Sequence, residues 1–168
     1  MTGLAIRQAG PGDDAAILSM VLPVFRAGET YTVPRDIAPG DALAYWRAPG
    51  KTVFLAEDAA GAAVGTYYIR PNAEGGGDHV CNCGYVTSEA ARGLGVARAM
   101  LKHSIATARD RGFRAMQYNF VVATNERAVA TWTRAGFRTV GRLPGAFRHP
   151  TEGLVDALVM WRDIGVGG

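Results

Sequence analysis

The chain has 168 residues, 48% hydrophobic and 20% charged, a globular balance at single-domain length that predicts one domain over residues 1–168. The longest apolar runs, Val53–Ala56 and Val121–Ala123, fall far short of the roughly 20 residues that cross a membrane. Net charge is +3, but residues 1–90 carry 6 basic and 10 acidic side chains (−4) while residues 91–168 carry 12 and 5 (+7), which predicts an anionic ligand beside the second half.

Leu4–Gln8 reads as a short strand. Asp13 or Asp14 can cap a helix through Ile17, Leu18, Val21, Leu22 and Phe25, whose spacing makes one apolar face. Gly28–Pro39 is a loop holding Glu29, Thr30 and Tyr31, followed by a short helix with Leu43, Tyr45 and Trp46. Val53–Glu57 and Val64–Ile69 are strands around the turn Asp58–Ala62, and the Gly-rich Asn72–Asp78 is a mobile connection to the strand His79–Thr87. Leu94, Ala97, Leu101, Ile105 and Ala108 mark an amphipathic helix ending near Gly112. Met116, Tyr118, Phe120 and Val122 alternate as a strand. Asn125 caps a helix with Ala128, Val129 and Trp132 that stops at Gly136, and Phe137–Arg142 and Leu154–Trp161 are the last strands. The order βα(α)βββαβαββ predicts an α/β fold, a mixed sheet with helices on its faces.

Arg92-Gly93-Leu94-Gly95-Val96-Ala97-Arg98 follows a strand and opens a helix. Glycines let the backbone turn tightly, and the free N–H groups and dipole of a helix start attract phosphate. A dinucleotide fingerprint needs Gly or Ala where Arg98 stands, and a P-loop needs Gly-Lys-Ser/Thr, which is absent. The absence of a Lys/Arg run or a nucleic-acid-binding motif favours a small phosphorylated molecule over nucleic acid.

This loop after the fourth strand, with Asn125, Ala128, Trp132 and Gly136-Phe137 about 30 residues on, resembles the GNAT acyl-CoA N-acetyltransferases. Gly65–Asn72, His79–Tyr85, Asn119–Asn125, Val140–Pro144 and Val155–Ala157 are similar to segments of the fungal azetidine-2-carboxylate (proline-analogue) acetyltransferases, over roughly residues 65–163. The resemblance implies a GNAT fold: a mixed, mostly antiparallel twisted sheet of about seven strands with helices on both faces. It implies acetyl-CoA as cosubstrate, with the backbone of Val86 and Thr87 on the pantetheine arm. Arg92, Gly93, Leu94, Gly95, Val96, Ala97 and Arg98 would hold the pyrophosphate, and Asn125, Ala128 and Trp132 would flank the thioester end. It also implies direct attack by an amine in a ternary complex, and a homodimer paired through C-terminal strands or helices, for which the sequence itself offers the strand around Leu154–Trp161.

Many members of the family place a Tyr where Trp132 stands. An indole N–H can donate a hydrogen bond but is no usable acid near neutral pH, which leaves proton transfer to water, Tyr85 or Tyr118. Asn82 and Asn119, polar residues within apolar strands that recur in the proline-analogue group, are expected to hold the acceptor, its carboxylate or an ordered water in line with the thioester. Glu29 and Tyr31 are candidates to face the acceptor amine. An N–H near Val86 or Thr87 would meet the developing negative charge on the thioester oxygen.

His79, Cys81 and Cys83 alternate on one strand, so they share a face but stand roughly 6.5–7 Å apart, too far for tetrahedral zinc. No metal is expected, and the thiols are expected to be buried and inert, neither one a nucleophile. His79, His103 and His149 have no evident partners. Met1–Ile6 is too short for a secretory signal, so a cytoplasmic protein without membrane partners is expected. Two other functions fit the same motifs: acetylation of protein N-termini, lysines or an antibiotic, and CoA binding without turnover.

Overall fold

A computed structural model describes residues 3–165, so the outermost residues of the 1–168 span lie outside it. Seven strands, β1 (Ala5–Gln8), β2 (Thr52–Glu57), β3 (Ala63–Pro71), β4 (Val80–Thr87), β5 (Ala115–Val122), β6 (Arg138–His149) and β7 (Gly153–Asp163), form one sheet. Its order is β1-β2-β3-β4-β5-β7-β6. Every neighbouring pair is antiparallel except β4 and β5. Helices α1 (Asp14–Ala27) and α2 (Pro39–Trp46) cover one face, and α3 (Val96–Asp110) and α4 (Glu126–Arg134) belong to the other.

Strand alternation divides the core. Tyr67, Ile69, Cys81 and Cys83 pack with Val96, Met100, Leu101 and Ile105 of α3, while Val53, Leu55, Tyr68 and Val86 pack with Ile17, Val21, Phe25 and Trp46 of α1 and α2. Trp46 is fully buried, and its indole N–H donates to Thr66 Oγ1 at 3.1 Å, which in turn donates to the Phe54 carbonyl at 2.9 Å. No polar hydrogen of this trio is left without an acceptor, as burial requires.

Three expectations need correction. α3 begins at Val96, because Gly93 (φ 81°) and Gly95 (φ 83°) are both left-handed; Leu94 is held out of the helix, 51% exposed, and takes no part in its apolar face. β6 runs on to His149 instead of stopping at Arg142, accommodating Pro144 where its register with β7 shifts between Leu143 and Phe147. Finally, Leu154–Trp161 lies in β7, which is flanked by β5 and β6, so the unpaired edge at this end of the sheet is β6.

Candidate active site

The site starts from a defect in the sheet. β4 and β5 pair only at Val80–Ala115 and Cys81–Met116, then diverge. Asn82 donates its amide Nδ2 hydrogen to the Gln117 carbonyl at 2.9 Å, so a side chain stands where the next main-chain rung would form. In β5 the pairing with β7 is interrupted between Tyr118 and Val121, which lifts Asn119 and Phe120 out of the ladder. A cavity of about 1680 Å³ occupies the opening.

Register settles which amides of β4 face this gap. The Asn72 N–H donates to the Val80 carbonyl and the Ser88 N–H donates to that of Val64, so the even-numbered residues of β4 direct their amides at β3. The expected role for the Val86 amide is therefore corrected: it faces Thr66 on β3. The amides of Tyr85 and Thr87 face the gap. The Tyr85 carbonyl is already taken, at 3.0 Å, by the Tyr31 hydroxyl.

At one end lies the start of α3. Its first amides have no partner within the helix, and no side chain among the described residues caps them. A Cβ on Gly93 or Gly95 would meet nothing within 4 Å, so these glycines are required by backbone conformation and leave open space before the amides. Arg92 and Arg98 line the same end, which suits a pyrophosphate.

At the other end, α4 is capped by Asn125, whose Oδ1 accepts from the Ala128 N–H at 3.3 Å. Trp132 packs between Tyr85 and Tyr118, each with its ring centroid 5.1 Å away, and its indole N–H has no partner among the described residues. Behind it runs a chain of hydroxyls. Ser104 donates to the Leu101 carbonyl at 2.9 Å and so accepts from Tyr85 at 2.7 Å; Tyr85 accepts in turn from Tyr118 at 3.0 Å. Both tyrosine hydrogens are thus directed inward, and burial raises both hydroxyl pKa values well above the ordinary range. This geometry disfavours proton donation into the cavity by either one.

The two asparagines differ. Because Asn82 is pinned through Nδ2, its Oδ1 is left as an acceptor on the wall. Both ends of the Asn119 amide are occupied: Oδ1 accepts from Gln117 Nε2 at 2.8 Å and Nδ2 donates to Asn72 Oδ1 at 2.7 Å. Asn119 thus ties the connection after β3 to the bulge in β5. Cys81 and Cys83 are free and buried, and burial holds the Cys83 thiol well above its usual pKa. No group of three or more His, Cys, Asp or Glu suited to a metal ion occurs among the described residues.

The wall gathers every residue that the sequence assigned to the donor, the acceptor or catalysis except Leu94. It also includes Tyr45, Tyr68, Arg70 and the β6–β7 hairpin residues His149, Thr151 and Glu152, which the sequence reading had not placed there. Tyr68 and Arg70 lie within the Gly65–Asn72 segment noted for its resemblance, which gave neither of them a role.

Residues 23–137 match the acetyltransferase (GNAT) family. The chain belongs to that family. A solved GCN5-related N-acetyltransferase from Kribbella flavida is 39% identical, with a TM-score of 0.90 over 96% of this chain and 98% of that one. A GNAT superfamily phosphinothricin acetyltransferase from Sinorhizobium meliloti, solved in complex with AcCoA, shares the GNAT fold at 19% identity, with a TM-score of 0.84 over 99% of this chain and 91% of that one. Among curated proteins, N-acetyltransferase aca1 of Schizosaccharomyces pombe is 34% identical over 97 residues, 57% of this chain. The chain matches about half of that relative's length, 46%. For this GNAT chain the gap between β4 and β5, open at the start of α3, is the candidate site for the acyl donor.

Proposed function

We propose that this protein is an acetyl-CoA-dependent N-acetyltransferase that acetylates the amine of a small molecule, an amino acid or proline analogue, by direct attack in a ternary complex. The observation that carries the reading is the row of unpaired β4 amides running from the anion-receptive start of α3 to the pinned Asn82. Bound acetyl-CoA supplies an activated acyl carbonyl. The amides opening α3, with Arg92 and Arg98, hold its diphosphate, and the Thr87 amide pairs with the pantetheine arm. The Tyr85 N–H is placed to meet negative charge developing on the carbonyl oxygen, a role that can be worth about 3 kcal/mol.

Asn82 Oδ1 accepts a hydrogen bond from the neutral acceptor amine and aims its lone pair; once the C–N bond has formed, the nitrogen gives up its proton to water. Asn119 keeps the mouth of the site in shape through Asn72, and Glu29 stands on the wall where it can face the acceptor. Trp132 packs against the thioester arm and turns its N–H toward the departing sulfur, which takes its proton from water. Burial keeps Cys83 a neutral thiol, unsuited to form an acyl-enzyme.

The partial identity with aca1, a fungal N-acetyltransferase, supports the N-acetyltransferase reading, while the proline-analogue acceptor rests on the resemblance carried by residues 65–163. A cytoplasmic homodimer joined along β6 completes the reading; β6 exposes Val140 and Leu143 at the sheet edge. The test is thiol release from acetyl-CoA against a panel of amines, amino acids and peptides. Release with small amines supports the proposal. Release with peptides alone would move the acceptor to protein, and acetyl-CoA binding without release for any acceptor would overturn catalysis.

A further inference from the structure

Three buried polar side-chain atoms lack a hydrogen bond among the described residues. Two of them, Asp14 Oδ1 and Arg47 Nε, face each other at 2.6 Å as an ion pair. The third is Arg70 Nε. Its guanidinium has no salt bridge among the described residues, and none of the cavity's carboxylates (Glu29, Glu126, Glu152) pairs with it. A buried guanidinium N–H without an acceptor is costly in an isolated fold and is satisfied at once by an anion.

Position says which anion. Arg70 is the Cα partner of Asn82 across β3 and β4, and it lines the cavity. Thr87 and the start of α3 lie five residues further along β4, roughly 17 Å away at ~3.3 Å per residue. The diphosphate end of the donor is therefore remote from Arg70, and the group that reaches it belongs to the acceptor.

A second cation stands alongside. The Lys51 ammonium lies 3.9 Å from the Tyr45 ring centroid and 4.1 Å from that of Tyr68, and both rings line the cavity. Its one hydrogen bond is to the Tyr45 carbonyl, at 2.6 Å, and no carboxylate pairs with it among the described residues. The Arg70 charge is close enough to depress the Lys51 pKa, after burial, which is the larger cause. Two neighbouring cations without a counter-ion favour an anionic ligand at this end.

We propose that Arg70 is the specificity-determining residue of the acceptor subsite: it binds the carboxylate of an α-amino acid while Asn82 Oδ1 receives the amine. This rests on the acetyltransferase reading above and adds the group that reads the acid. A planar guanidinium suits a planar carboxylate, and the cross-strand pairing with Asn82 matches an acceptor whose amine and carboxylate are one carbon apart.

The experiment compares free amino acids with their amides, for example L-proline with L-prolinamide and L-leucine with L-leucinamide, in wild type and in Arg70→Gln. The wild type should prefer the free acids. Arg70→Gln should raise KM for the acids by tens-fold, leaving kcat, KM for the amides and KM for acetyl-CoA near wild type, and Arg70→Lys should recover part of the loss. An equal fall for acids and amides, or a wild type that prefers amides, overturns the assignment. Should the wild type bind acetyl-CoA and acetylate neither series, the small amino-acid acceptor of the proposed function fails. Calorimetric titration of the CoA-loaded protein with the same acids then judges Arg70 alone: binding lost in Arg70→Gln upholds it, and no binding to the wild type overturns it.

Discussion

Asn82 and Gln117 meet where the sheet stops being a sheet: the Asn82 amide takes the Gln117 carbonyl at 2.9 Å, one residue beyond the last pairing of β4 with β5. One hydrogen bond thereby seals the end of the ladder and fixes which atom of Asn82 faces the cavity. Asn82→Ala should lower kcat/KM by on the order of 10²-fold, by losing the acceptor contact and orphaning a buried carbonyl. Asn82→Asp is the sharper variant. An ionised carboxylate has no hydrogen for Gln117, so it should be as damaging despite its shape. Near-normal turnover in Asn82→Asp would exclude the role.

Asn119→Ala acts at a distance from the chemistry, by releasing Asn72. Its effect should appear in the acceptor KM, several-fold, with kcat and the acetyl-CoA KM little changed. Initial-rate kinetics in both substrates separate this from a fall in kcat, which would mean that Asn119 touches the reacting groups.

Trp132→Phe keeps the aromatic packing against Tyr85 and Tyr118 but removes the N–H and one ring. Acetyl-CoA binding should weaken about tenfold, or ~1.4 kcal/mol. Tyr118→Phe should keep most of its kcat, because the hydroxyl hydrogen is directed at Tyr85. A loss of kcat in Tyr118→Phe with acetyl-CoA KM unchanged would restore Tyr118 as proton donor.

Lys51 gives a pH signature. Burial, with the Arg70 charge, lowers its pKa from 10.5 to about 8. The folded state therefore binds fewer protons than the unfolded chain between about pH 8 and 10.5, so Lys51 makes stability rise with pH across that window. Its contribution is fully present above 10.5 and is lost as pH falls through 8. NMR titration of the Lys51 side chain should give a midpoint near 8, and Lys51→Met should remove this part of the pH dependence. A midpoint near 10.5 would contradict the burial seen between Tyr45 and Tyr68.

Thr66→Val should cost about 1–3 kcal/mol, because the shape is kept while the buried Trp46 N–H loses its acceptor. Denaturant unfolding reads this directly. An unchanged midpoint would mean that Trp46 finds another partner.

The sequence by itself determined the element order, the helix cap at Asn125 and the glycine loop before α3, because these are local. Apolar spacing, a capping side chain and left-handed glycines act within one or two turns of chain. It also brought Asn82, Asn119 and Trp132 into view as residues out of keeping with their strand or family position. The tertiary structure alone decided which atoms of those residues are free. The orientation of Asn82 depends on a carbonyl 35 residues away. Whether Val86 or Tyr85 faces the gap depends on the register with β3, where a slip of one residue would exchange the two sets of amides. The inward direction of the tyrosine hydroxyls is set by Ser104 on α3, and Arg70 lies opposite Asn82 through strand pairing. Hydrogen-bond direction and cross-strand neighbours are relations between segments distant in sequence, and no local pattern encodes them.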